Sequence, residues 1–349
     1  DWLYQASGAG MLFKPKFQTI ATLKIGNVYS FASDEVTSLI GGIKDESKAE
    51  KLMGNLSAST PPMDKDRYAS PTEHMFSVNF IQKITETATL RGNVDYSYSK
   101  SQYDYDIQRN FYDGDENIII DQGINSLSTS HTPSFSIVYK NNASTSYLNN
   151  SLFGKATFLR NDLPTTENGQ TLMQQQSMRD YYVGNNFSYS WRRKKLRWRL
   201  SSSVLLFNTP QVRLTVTNEG NDIHQHVNSL SFQTKNLLSA IYDFKNSRFY
   251  FPLSLNYSAD KMQTDLQSYL DNTDNKNDMA GGNLSVAFAP RYEYIHPKRI
   301  YVFRADVPMR IDYIHNRNYI QNEKDKFSFF SVCPGIYFNY KFSSRSTFR

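Results

Sequence analysis

The chain has 349 residues, a formal net charge of +6 and one cysteine, Cys333, so an internal disulfide framework is excluded. Aromatic residues make up 14% of it, with 24 Tyr and 23 Phe, yet mean hydropathy is −0.59. Basic and acidic residues are interspersed and no helix collects the basic ones, which argues against nucleic-acid binding.

High aromatic content with low hydropathy fits strands that carry apolar residues on one face only, beside long wet connections. The longest apolar runs, such as Val204-Leu205-Leu206-Phe207, fall far short of the ~20 residues a membrane helix needs. The sequence opens on Asp1-Trp2-Leu3-Tyr4 with no signal peptide, so for an exported protein a targeting segment is expected either to lie upstream or to have been removed.

In chain order, weak period-two patterns at 17–31 and 75–83 lead to a clear one at 88–98. There Ala88, Leu90, Gly92, Val94, Tyr96 and Tyr98 alternate with Thr89, Arg91, Asn93, Asp95 and Ser97. Such alternation marks a strand with one apolar and one polar face. Residues 135–139 and 148–158 repeat it weakly. Tyr181, Val183, Phe187, Tyr189 and Trp191 form one further apolar face, and Leu196, Trp198, Leu200, Val204 and Leu206 form another. After a weak pattern at 230–244, Phe249, Phe251, Leu253, Leu255 and Tyr257 alternate with polar residues. Then follow 284–294, the run Tyr301 to Tyr313, and Phe330 to Tyr340. The pattern predicts about twelve strands, several near the ten-residue length of a tilted membrane strand.

The connections sort into two kinds that alternate strictly. Short ones occupy 83–87, 140–144, 192–195, 245–248, 295–299 and 343–346. Long polar ones occupy 32–73, 99–133, 160–179, 208–225, 260–281 and 315–326. A soluble sandwich or propeller has no reason to separate its loops in this way. Outer-membrane barrels do, with short periplasmic turns and long extracellular loops. The expected fold is therefore all-β: an antiparallel up-and-down transmembrane β-barrel in the bacterial outer membrane, seen in part. Residues 1–349 are expected to form part of this single barrel domain. Thr347-Phe348-Arg349 reads as the opening of one more strand; because an open sheet edge cannot sit in hydrocarbon, either that strand is expected to continue in the full protein or the missing wall to come from residues outside this sequence.

Little catalytic chemistry is legible. No Ser lies in a Gly-x-Ser-x-Gly motif and no phosphate-binding glycine loop appears, so no catalytic residue and no cofactor is expected. His224 and His226 share a strand face, but no third ligand is placed, so no metal site is expected. The oxygen-rich runs Asp113-Gly114-Asp115-Glu116 and Asp271-Asn272-Thr273-Asp274-Asn275 do not fit the EF-hand pattern. They read as hydrated turns or as contacts to cations that bridge lipopolysaccharide. The inward-facing charges are better placed: Arg304, Asp306, Arg310 and Asp312 share one polar face, and Arg291 and Glu293 face them across a hairpin. Lipid-facing charge is costly, so these are candidate lumen residues that pair across the hairpin or meet a plug or a passing solute.

Two segments resemble TonB-dependent-receptor-like outer-membrane barrels of Bacteroidota. They are the strand opening Tyr147-Leu148-Asn149-Asn150-Ser151-Leu152-Phe153-Gly154 and the run from Arg109 to Asp121, which in that group lies in an extracellular loop before a strand. The resemblance implies a larger barrel with a plug, a TonB box and often a regulatory domain ahead of this sequence. It also implies active uptake of a large or scarce nutrient. The partners expected are outer-membrane lipid and lipopolysaccharide, the TonB complex through that N-terminal region, a surface lipoprotein and an unknown nutrient ligand. A passive porin, an outer-membrane enzyme and an assembly scaffold are the alternatives.

Overall fold

The computed structural model describes residues 2–28, 52–54, 56–58, 61, 63, 69–113, 116–218, 221–268, 275–298, 300–341 and 347–348. Most of the expected 32–73 and 343–346 connections, and the acidic runs at 114–115 and 271–274, lie outside them. Among the described residues no helix is long and apolar enough to cross a membrane, which leaves crossing by strands open.

Among the described residues the strands form one 17-stranded antiparallel sheet. Its first members are β1 (Gln5–Phe13), β2 (Phe17–Gly26), β3 (Ala69–Lys83), β4 (Ala88–Asp113) and β5 (Glu116–Asn142). Next come β6 (Ser146–Glu167), β7 (Gln170–Arg193), β8 (Leu196–Asn218), β9 (Asn221–Phe244) and β10 (Ser247–Ser268). The sheet continues with β11 (Asn275–Phe288), β12 (Arg291–Ile295), β13 (Tyr301–Asp306) and β14 (Met309–Asn318). It ends with β15 (Glu323–Val332), β16 (Gly335–Lys341) and β17 (Thr347–Phe348).

Up to β10 each strand pairs with its neighbour in sequence, an up-and-down meander. Beyond it, three strand lines are each broken in two. β11 and β12 both pair with β10, β14 and β13 follow beside them, and β15 and β16 complete the third line. The breaks fall at Pro290, Pro308 and Pro334, level with Pro252 on β10. Proline has no N–H to give to a ladder. Its carbonyl still accepts: Ala289 N–H donates to Pro252 at 3.2 Å, Val307 to Pro290 at 3.1 Å and Cys333 to Pro308 at 3.1 Å. The wall therefore stays continuous across a row of prolines.

The two faces differ as the alternation requires. Val94 is 54% exposed while its neighbour Asn93 is 5% exposed. Phe76, Leu206, Leu255, Leu284 and Ile311 are likewise exposed on the face of Val94, whereas Ser77, Tyr182, Ser285 and Asp312 are buried on the other. Rings flank the apolar face at both ends. Near the short turns, Trp191 stacks on Tyr189 and Trp198 with centroids 5.1 and 5.7 Å apart, and Tyr292 meets Phe249 at 5.1 Å. Near the other end, Tyr98 lies between His74 and His131, at 5.4 and 4.9 Å, and Phe158 meets Tyr181 at 5.7 Å edge-on. On β6 this face runs from Leu148 to Phe158 and is apolar except at Asn150, which accepts a hydrogen bond from Asn185 of β7; its length matches the roughly ten residues of a tilted membrane strand. Paired aromatic girdles of this kind border the hydrocarbon in outer-membrane barrels.

Beyond the second girdle the structure departs from expectation. The segments expected as long loops at 99–133, 160–179 and 208–225 are mostly strand, so that β4 has 26 residues, β5 27 and β7 24. Outside a bilayer both strand faces meet water, so the apolar alternation stops while the backbone ladder continues. The β6–β7 hairpin turns at Asn168-Gly169, with φ of 49° and 82°, the Asn-Gly pair that a type I′ turn favours. β1 was not expected, because its Gln-Ala-Ser-Gly-Ala-Gly run offers no apolar contrast between faces.

Gly184 tests the packing of the polar face. A Cβ there meets the ring of Phe153 from β6 and the side chain of Leu205 from β8, both directly opposite it. Gly184→Val is expected to lower stability by about 1–3 kcal/mol, the usual cost of overpacking. The measure is the temperature at which the folded band is lost in unheated-gel electrophoresis, with Gly8→Val as a control, since nothing lies within 4 Å of a Cβ there.

Candidate functional site on the polar face

The predicted charges lie on the polar face, and some of them meet. Glu293 on β12 and Arg304 on β13 are opposite in register and pair at 2.8 Å. Arg310 pairs with Asp312 within β14 at 2.7 Å, and its Nε donates to Ser285 Oγ at 3.1 Å. Asp312 is 1% exposed, whereas the Arg310 side chain remains 53% exposed. Arg291 and Asp306 are directly opposite each other in register, yet among the described residues no ion pair joins them. The Asp306 carboxylate lies against Gly335 instead.

The Glu293–Arg304 pair belongs to a longer row that sequence reading missed. Arg248 lies opposite both Asp243 and Glu293. It contacts the Asp243 carboxylate at 2.7 Å and the Glu293 carboxylate at 3.6 Å. Arg197 on β8 reaches the second Asp243 oxygen at 2.8 Å. At the far end the Arg304 guanidinium lies 5.4 Å from the Tyr337 ring centre. The charges alternate in sign from β8 to β13, so each carboxylate bridges two guanidiniums. Tight pairing of opposite charges across strands is favourable, and more so where water is restricted. The missed signal was symmetry about a turn: Asp243 and Arg248 flank Phe244-Lys245-Asn246-Ser247 and must face each other if 245–246 is the turn.

At the opposite end of the same face, part of the β2–β3 connection crosses onto β6–β9. Leu52 and Met53 pack on Met178, Val212 and Val227, an apolar island among polar neighbours. Backbone groups fix the segment: Leu56 N–H donates to Gln176 Oε1 at 2.8 Å, Gln176 Nε2 donates to the Gly54 carbonyl at 2.8 Å, and Asn161 Nδ2 to the Leu56 carbonyl at 3.1 Å. A bulge in β8 between Thr209 and Val212 helps build the island, with Thr209 Oγ1 donating to buried Asp180 at 2.7 Å. Gln176→Ala is expected to speed hydrogen exchange at the Leu56 amide roughly fivefold, since a hydrogen bond contributes about 1 kcal/mol. Exchange mass spectrometry of peptides covering 52–58 reads this.

His224 and His226 do share a face. Among the described residues, His224 contacts Asp222 at 3.8 Å and Thr215 at 3.2 Å, and no group of three metal-ligating side chains is present.

No protein-family model matches the sequence, and no curated protein matches it. Similarity appears among solved structures. The open form of the ferric-catecholate import receptor Fiu of E. coli K12 aligns over 98% of this chain at 7% identity and a TM-score of 0.39. The pyoverdine-bound FpvA of P. aeruginosa aligns over 98% at 6% identity and a TM-score of 0.32. The chain spans 61% and 59% of the length of these two.

Proposed function

We propose that this chain is most of the wall of an outer-membrane receptor that imports a large or scarce nutrient. The observation that carries the reading is the division of one meander into two faces. One face is an apolar band about ten residues tall between aromatic girdles, the geometry of a lipid-facing barrel wall. The other bears the rows of Arg197, Asp243, Arg248, Glu293 and Arg304 and of Arg310 and Asp312, whose place in this reading is the lumen. Hairpins such as β4–β5 then project beyond the membrane as a capture surface. Energy coupling through TonB, a plug ahead of Asp1, a surface lipoprotein and the Bacteroidota relationship rest on the resemblance of residues 147–154 and 109–121.

The test uses the full-length protein from outer membranes, placed in a planar lipid bilayer. A plugged receptor gives little steady conductance until urea loosens the plug. A steady open channel without urea contradicts energised import and points to a passive porin. Hydrolytic turnover of lipid or peptide substrates by the same preparation points to an enzyme.

A further inference from the structure

The row of alternating charges on the polar face ends at β8 without balance. Its last member, Arg197, shares Asp243 with Arg248. The next position along the row, directly opposite Arg197 on β7, is Arg192, a second arginine where alternation would place a carboxylate. Arg199 follows Arg197 on the same face of β8, opposite Ser190. Arg192 and Arg199 are exposed, and among the described residues no acidic side chain pairs with either. Like charges directly opposite each other destabilise a strand pair, so the arrangement costs the fold stability rather than adding to it.

The three arginines line a cavity of about 260 Å³ between the β5–β6 and β7–β8 turns, together with Thr145, Tyr147 and Ser190. Arg197 Nε is buried and meets no acceptor among the described residues. The Arg192 guanidinium reaches the Lys194 carbonyl through Nε at 3.4 Å, a weak contact. The cavity is smaller than the roughly 300 Å³ at which pockets for whole ligands begin, so it suits one charged group of a solute or a small free ion. A carboxylate would bring a single negative charge. A phosphate monoester brings about −1.5 to −2 at neutral pH, with three strongly accepting oxygens, and guanidiniums bind such oxygens in parallel pairs. Two unbalanced guanidiniums beside the half-engaged Arg197 match the phosphate.

We propose that Arg192, Arg197 and Arg199 form a binding site for a phosphate group on the polar face beside the short turns, with Ser190 and Tyr147 as further donors. The inference goes beyond the reading of the chain as a receptor wall. It holds for an importer and for a passive channel alike, because it needs only that lipid does not cover this face.

The test is titration calorimetry of the full-length protein, folded in detergent, with inorganic phosphate and separately with glycerol 3-phosphate. Saturable binding of at least one of them is expected. Tighter binding of the ester assigns the site to a phosphate carried on a solute; equal or tighter binding of inorganic phosphate assigns it to the free ion. Arg192→Gln with Arg199→Gln should weaken binding by more than tenfold, since each hydrogen bond between charged partners is worth about a tenfold change in affinity. Arg199→Gln alone, at an exposed position, should cost about one such step and serves if the double variant gives no folded band on an unheated gel. Arg193→Gln removes the same charge from the same turn, but Arg193 faces Leu196 and lies outside the cavity, so it should leave the affinity unchanged. Absence of saturable binding, unchanged binding by the arginine variants of the cavity, or an equal loss in Arg193→Gln overturns the proposal; the last would mean that the turn attracts anions only through its net charge.

Discussion

Val94→Arg is expected to stop the protein from folding into bilayers. Val94 is 54% exposed on the apolar face, between Val78 and Phe135 on the flanking strands and about half-way between the two girdles on β4. An arginine near the midplane of a barrel wall costs about 2–4 kcal/mol, and the cost falls towards the interfaces. Leu90 lies on the same face but close to the turn before Ala88, so Leu90→Arg should lose much less. Ser97→Arg, on the polar face, should fold normally. Folding yield into lipid vesicles, read as the unheated-gel mobility shift, ranks the three. If Val94→Arg folds as well as Ser97→Arg, the facing of β4 is wrong.

Glu293→Ala is expected to be the most damaging change on the polar face near the short turns. Glu293 is 8% exposed and sits between Arg248 and Arg304. Its removal leaves two guanidiniums directly across from an uncharged position, with only Asp243 to balance Arg248. Removing one partner of a buried pair costs 3–5 kcal/mol, but both arginines are about a third exposed, so about 1–3 kcal/mol is expected here. Adding Arg304→Met should restore part of the loss, because the stranded charge goes with it. A double-mutant cycle in denaturant measures this. Strictly additive losses would mean that the row is a set of solvated side chains with no coupling.

The fold was legible wherever one strand face is apolar and the other polar. Alternation at 88–98, 249–257 and 301–313 located those strands, because such a division of faces leaves a period-two trace. The trace ends where the apolar band ends. Residues 99–133 read as a connection because Lys100, Gln102 and Asp104 share a face with Tyr96 and Tyr98 but are polar. The two-residue turn at Asn168-Gly169 was a local signal that the length of the polar segment hid. The charged face was half legible. Glu293 and Arg304 follow from one hairpin, whereas the link to Asp243 and Arg197 requires the register of four strands. Nothing local to Leu52 or Met53 indicates contact with Met178, which is remote in sequence and lies on the far side of several strands.

The central claim is that the face bearing Val94 contacts hydrocarbon and the face bearing Glu293 does not. Its most direct test is depth-resolved accessibility of single nitroxide labels in lipid, on a background with exposed Cys333 replaced by Ser. Labels at Val94, Leu206 and Leu255 should collide freely with oxygen and hardly at all with a water-soluble nickel chelate, and labels at Ser97, Ser203 and Ser254 should not show that preference. Equal access of the nickel chelate to both sets would contradict the claim, because it would place both faces of the sheet in water.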